Sequence, residues 1–176
     1  MVGVAARHPA WDEAARRPLT LGQRIATCHA RHAGGEALRP DSEARIALET
    51  FVALQSRGQP IAPPQRDPRL RAWQERGRAL FGQRLGQLDL SCAQCHEQHS
   101  GGRLAGSVIP QGHATGYPIY RLEWPGMGTL QRRVRGCLTG VRAEPFGWDS
   151  DEMTALEAYL AARAAGLPME TPAVRP

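Results

Sequence analysis

This sequence predicts an all-α fold with long loops, built as two related units in tandem. Three observations carry that expectation: an internal repeat, helix-period apolar stripes bounded by capping and stop residues, and no segment with convincing strand alternation. The repeat appears when Cys28 is laid on Cys137. Gly3 then falls on Gly112, Pro9 on Pro118, Trp11 on Tyr120, Thr20 on Thr129, Leu21 on Leu130, Arg24 on Arg133 and Ile25 on Val134. After a single-residue slip, "DSEARIALETFVALQSRGQPI" lies over "DSDEMTALEAYLAARAAGLPM", with Asp41, Ser42, Ala47, Leu48 and Glu49 identical to Asp149, Ser150, Ala155, Leu156 and Glu157.

Each unit ends in an amphipathic helix. In the first, Asp41 or Ser42 is the N-cap. Ile46, Leu48, Phe51, Val52 and Leu54 are the main apolar residues, and Gly58 and Pro60 stop it. The proline-rich stretch "GQPIAPPQRDPRL" reads as the linker, dividing the chain into 1–63 and 64–176. A further helix, "DPRLRAWQERGRALFGQR", opens the second unit. "GGRLAGSVIPQGHATGYP" reads as a long loop. In the last helix Asp149 or Ser150 is the N-cap, Met153, Leu156, Tyr159 and Leu160 form the apolar stripe, and Gly166 and Pro168 end it.

The 176 residues suit one ordinary domain or two small ones. The net charge is +5, and all 22 basic residues are arginine, planar forks matched to oxyanions. Basic charge alone does not indicate nucleic acid: no basic run is interleaved with stacking aromatics. No apolar run approaches the length of a membrane helix. "MVGVAARHPAWDEAARR" lacks the hydrophobic core of a signal peptide and by itself reads as cytoplasmic.

"SCAQCHEQH" changes that. Cys92, Cys95 and His96 form the C-x-x-C-H pattern of c-type haem attachment. Two thiols at this spacing reach the two vinyl groups of one haem, and the adjacent histidine faces the iron. The motif follows a helix carrying Phe81 and Leu85, the place where small cytochromes c put it. A zinc or disulfide pair is the competing reading. Haem attachment implies export, so a periplasmic protein is expected, with its signal peptide upstream of this start.

The opposite axial position has several candidates. Met127 precedes the last helix, His113 sits in the Gly-rich loop, and His99 lies too near His96 in sequence to reach the far haem face readily. Cys137 lies where a cytochrome c delivers its distal ligand, and Cys28 takes the same place in the first unit, each four residues after an arginine. If the segment is helical, Arg133 and Cys137 share one face, and the guanidinium is expected to lower the thiol's pKa and hold an oxyanion beside it. The separation of Cys92 from Cys137, carried back from Cys28, falls before residue 1. The first unit is therefore expected to be incomplete, its haem motif and the signal peptide lost by N-terminal truncation. "IATCH" resembles half a haem motif, but the repeat aligns Cys28 with Cys137 rather than Cys92. His29 and His32 then read as incidental surface residues.

"SCAQCHEQHSGGRL", "GYPIYRLEW", "LQRRVRGCLTGVRAEPF" and "YLAARAAGLPMETPAVR" resemble the SoxA family, the catalytic c-type cytochrome subunits of SoxAX complexes (L-cysteine S-thiosulfotransferase). "QRIATCHA" fits that family's first cytochrome unit. The resemblance implies tandem cytochrome c-like domains in the periplasm and a heterodimer with the small cytochrome SoxX. It implies haem c on Cys92 and Cys95, with His96 as one axial ligand. It makes Cys137 the opposite ligand and catalytic cysteine, carried as a persulfide, and Arg133 the substrate-holding arginine, with Arg132 and Arg135 adding positive field. Cys28 matches the distal thiolate of a first haem in dihaem members; in monohaem members disulfide pairing of leftover cysteines occurs in that region. The implied reaction conjugates thiosulfate to a cysteine of the SoxYZ carrier, its electrons passing to SoxX and an acceptor cytochrome c. The alternative is a plain periplasmic electron-transfer cytochrome c with Met127 or His113 as distal ligand.

Overall fold

A computed structural model describes residues 1–104 and 106–175. After a short 3-10 turn at Ala5–Arg7, the strands β1 (Ala10–Asp12) and β2 (Arg17–Leu19) pair antiparallel. Helix α1 (Leu21–His32) starts on a capping box: the Thr20 side chain accepts from the Gln23 N–H, and Gln23 Oε1 accepts from the Thr20 N–H. Helix α2 (Glu43–Leu54) is capped by Ser42, and α3 (Pro68–Gly82) by Asp67, with Pro68 at its first position. A π-helical turn at Gln94–Gln98 follows. Then come the two-residue strands β3 (Arg103–Leu104) and β4 (Ser107–Val108), the hairpin β5 (Ile119–Arg121) and β6 (Gly126–Gly128), α4 (Leu130–Gly140) capped by Thr129, and α5 (Asp151–Arg163) capped by Ser150. The last strand, β7 (Ala173–Arg175), joins β5 in parallel, Ile119 opposite Ala173.

Helices dominate, but the all-α expectation is corrected by three small sheets among the described residues: β1–β2, β3–β4 and β6–β5–β7. Their strands are two or three residues long and include Pro18, Gly126 and Gly128. A period of two cannot show itself over so few residues, and these residue types disfavour strands. No helix among the described residues is long and apolar enough to cross a membrane.

The order hairpin–helix–helix occurs twice, as β1–β2–α1–α2 and as β5–β6–α4–α5. Asp41 and Asp149, each just before a serine cap, both adopt positive φ (60° and 55°). Gly58 and Gly166 do so after the second helix of each set (79° and 85°), where an L side chain would be strained. The halves are tied together. Pro60 and Pro168 form an antiparallel bridge, flanked by hydrogen bonds from Ile61 N to Leu167 O (2.9 Å) and from Gly166 N to Ile61 O (2.8 Å). One core cluster, of Ala5, Ala6, Ala53, Ile61, Ala164 and Met169, draws on both halves. The Arg45 side chain, only 4% exposed, makes a two-pronged contact with Asp149 (2.6 and 2.8 Å). Arg132 answers it by binding Asp41 at 2.7 Å.

The second core cluster lies between α3 and α5, built on buried Phe81, Leu156 and Leu160, with Cys92, Ala93, Leu130, Val134, Phe146 and Tyr159 packed on it. The two helices touch at Gly77, where an added Cβ would lie 2.0 Å from the Ala155 carbonyl oxygen. Helix α2 has no such partner. Leu48, Phe51 and Leu54, part of the predicted apolar stripe, are exposed, as is Ala47, whereas Ile46 and Ala53 are buried. Their counterparts Ala155 and Leu156 are covered by α3.

Candidate haem and thiol site

Ser91 and Gln94 form a second reciprocal cap at the haem motif: Gln94 Oε1 accepts from the Ser91 N–H (2.8 Å) and Ser91 Oγ from the Gln94 N–H (3.2 Å). This starts the turn on which Cys92, Cys95 and His96 stand, all three half-buried. His96 Nδ1 lies 2.8 Å from the Pro110 carbonyl oxygen. A carbonyl can only accept, so Nδ1 carries the proton and Nε2 keeps its lone pair free for a metal. The backbone at Gly112 runs so close that a Cβ there would sit 3.1 Å from His96 Cβ. Arg163 of α5 steadies the same turn. It pairs with Glu97, donates to the Gln111 carbonyl at 3.1 Å and lies over the Phe81 and Tyr159 rings.

Cys137 is on α4, which is helical as the Arg133–Cys137 spacing required. It lies within electrostatic reach of Cys95 and Cys92, although some forty residues of chain, on the order of ten turns of helix, separate them in sequence. Burial pushes the Cys92 thiol up to about 11, helped by its neighbours Cys137 and Cys95. Arg133 pulls the Cys137 pKa down as expected, but it does not set the outcome. Burial raises it, and the pull of Arg133 and Arg121 offsets that only in part. The free thiol is therefore protonated at neutral pH.

Two thiols and an oriented imidazole on one turn, against an apolar cluster that includes Cys92 itself, fit a covalently attached haem. Cys137 is the sulfur that α4 brings to the same place. Met127 lies in β6, paired with Tyr120, and its carbonyl accepts from Arg132 at 3.5 Å. His113 follows Gly112 in the segment that touches His96, and exposed His99 caps the π-turn, its N–H bonded to the Gln94 carbonyl. Cys28 is exposed on α1, and no disulfide forms among the four cysteines.

The arginines sort differently from the expectation. Arg133 faces Glu123 at 3.4 Å on the Cys137 side. Arg132 is held by Asp41 and stacks on Trp124, and Arg135 binds the Phe146 carbonyl and stacks on Trp148. Neither is free to supply the expected extra field. The second guanidinium at Cys137 is Arg121 of β5, a residue sequence reasoning missed. Its only signal was its place in "GYPIYRLEW", since nothing in the spacing of Arg121 and Cys137 announces that the hairpin folds back onto α4. Tyr117 completes the wall, its hydroxyl pushed up by burial and pulled back by Arg133 and Arg121.

The SoxA/TsdA cytochrome c domain family model matches residues 1–61 and 76–169. The L-cysteine S-thiosulfotransferase subunit SoxA of Pseudaminobacter salicylatoxidans is 40% identical over 175 residues, 99% of this chain. The same subunit from Rhodovulum sulfidophilum is 38% identical, again over 99% of this chain. The chain spans 61% of the length of each of these relatives. The crystal structure of SoxXA from P. pantotrophus superposes with a TM-score of 0.94 at 34% identity, covering 99% of this chain and 66% of that one. The chain therefore belongs to the SoxA/TsdA cytochrome c family.

Proposed function

We propose that this protein is the catalytic cytochrome subunit of a haem-dependent L-cysteine S-thiosulfotransferase. The observation that carries the reading is the convergence of Cys137, Arg133 and Arg121 on the haem-attachment turn. Relatives that carry the transferase name align over nearly the whole chain, and the superposed structure, titled SoxXA, supports a small cytochrome, SoxX, as partner. The chain divides into cytochrome c-like units at 1–63 and 64–176. It works in the periplasm, where haem c is attached.

Cys92 and Cys95 would hold the haem by thioether bonds, and His96 and Cys137 would bind its iron. Haem c, when bound, supplies a one-electron outlet toward SoxX and an acceptor cytochrome c. Arg133 receives the sulfonate of thiosulfate and turns its outer sulfur toward Cys137. The Cys137 thiol and thiosulfate then join in an S–S bond, releasing one proton and two electrons. Where Cys137 carries a persulfide, the bond forms to its terminal sulfur. A carrier thiolate on SoxYZ attacks the outer sulfur of the adduct, takes the thiosulfate group and frees Cys137. Cys28 is the matching thiolate position of the first unit.

The test is Cys137→Ala in the haem-loaded heterodimer. Haem is retained with an altered ligand spectrum, and conjugation of thiosulfate to the carrier falls to background. Unchanged ligation with normal electron transfer would point instead to an electron-carrier cytochrome ligated by Met127 or His113.

A further inference from the structure

Glu123 stands where a substrate oxyanion belongs. Its Oε1 lies 2.7 Å from Arg121 Nε and 3.4 Å from an Arg133 terminal nitrogen, bridging the two guanidinium groups nearest Cys137. Arg121 is only 9% exposed, and its Nε has no hydrogen-bond acceptor among the described residues, because Glu123 Oε1 is close but off the line of the N–H bond. A buried guanidinium donor with poor satisfaction is costly and awaits a better acceptor. The Arg121 guanidinium is otherwise fixed, 5.4 Å over the Trp124 ring. Glu123 is exposed, so it can swing away without disturbing the core.

We propose that Arg121 and Arg133 form a two-arginine clamp for the sulfonate of thiosulfate, and that Glu123 is a built-in competitor which must leave for the substrate to bind. Both forks are planar donor sets that match three sulfonate oxygens. A dianion between two guanidiniums exchanges one negative charge for two, so displacement of the carboxylate is favoured. A monoanion gains much less. Glu123 thus sets specificity for dianions and keeps the clamp assembled when no substrate is present. Glu123 and Arg121 act on substrate position and on nothing in the electron path. This inference rests on the thiosulfate reading of Cys137.

The test uses the haem-loaded heterodimer, with two readouts: calorimetric binding of sulfate as an unreactive dianion, and thiosulfate kinetics with a cysteine carrier. Glu123→Gln keeps the shape and removes the charge. It is expected to tighten sulfate roughly two- to five-fold, the worth of a partly screened ion pair, and to lower the thiosulfate KM more than it changes kcat. Arg121→Lys is expected to weaken both anions roughly three- to ten-fold. If Glu123→Gln leaves both anions unchanged or weaker while conjugation proceeds, the clamp is wrong and the transferase reading stands. If Glu123→Gln tightens sulfate but no thiosulfate ever reaches the carrier, the clamp stands and the transferase reading is wrong. Should Arg121→Lys fail to fold, Glu123→Gln alone decides.

Discussion

At Cys137 two opposing forces meet. Burial raises the thiol's pKa, and the Arg133 and Arg121 guanidiniums lower it by less. A sulfur kept protonated at rest needs iron or persulfide chemistry to become reactive, which protects it from stray oxidation. Arg133 is expected to matter through charge-assisted hydrogen bonds. Arg133→Ala should cost about 1.5–3 kcal/mol of transition-state binding, roughly 10–100-fold in kcat/KM, read by steady-state kinetics. Residues adjacent in sequence, such as Cys92, Cys95 and His96, declare their chemistry by spacing. Arg121 and Glu123 do not, because their role arises only when β5 returns to α4. Arg132 and Arg135 looked equivalent to Arg133 as letters. The helix turns them to Asp41 and to the Phe146 carbonyl instead.

Among the elements, α3 on α5 is the contact that positions the haem turn. Gly77 lets the two backbones meet, and the Phe81, Leu156 and Leu160 side chains close behind it. Gly77→Ala would drive a methyl into the Ala155 carbonyl. It should destabilise the protein by about 3 kcal/mol or more, seen as a fall in the thermal midpoint. Leu156→Ala should cost about 2–5 kcal/mol by leaving a cavity. Its counterpart Leu48→Ala, 40% exposed on α2, should cost about 0.5 kcal/mol or less. Helices α2 and α5 were legible from their caps and stripes, because Ser42 and Ser150 do form the caps, whereas the Asp67 cap of α3 was not read. The exposure of Leu48, Phe51 and Leu54 was not legible. An apolar stripe says which face seeks cover, and only the tertiary arrangement says whether cover exists. The strands escaped because they are only two or three residues long, and β5 is held as well by β7 at the other end of the second half.

For the whole molecule, the seam between the halves carries a second buried electrostatic element. Glu49 of α2 and Glu157 of α5, equivalent in the repeat, line one cavity of about 80 Å³. Burial pushes Glu49 up to about 7, against the pull of Arg45, and pushes Glu157 up to about 8, with Glu49 adding to the rise. The groups facing them are Arg45, Asp149 and Gln131, the last donating to Glu157 at 2.8 Å. Both folded pKa values exceed the ordinary carboxylate value near 4.5. The folded state therefore holds more protons than the unfolded state between those limits. Stability from this pair is full below about pH 4.5 and is lost as pH rises to about 7–8. Denaturant melts from pH 5 to 8 should show a decline of several kcal/mol, at roughly 1.4 kcal/mol per pH unit for each raised carboxyl, and Glu157→Gln should reduce it. An undiminished slope in Glu157→Gln would place its origin elsewhere.

The central claim is that Cys137 takes up thiosulfate beside the haem turn. Peptide mass spectrometry of the haem-loaded heterodimer measures this directly, after oxidation with thiosulfate and without carrier. The predicted result is haem on the Cys92–Cys95 peptide and one added S₂O₃ unit on the Cys137 peptide, discharged when carrier thiol is supplied. An unmodified Cys137, in a protein that still loads the carrier, would contradict the account.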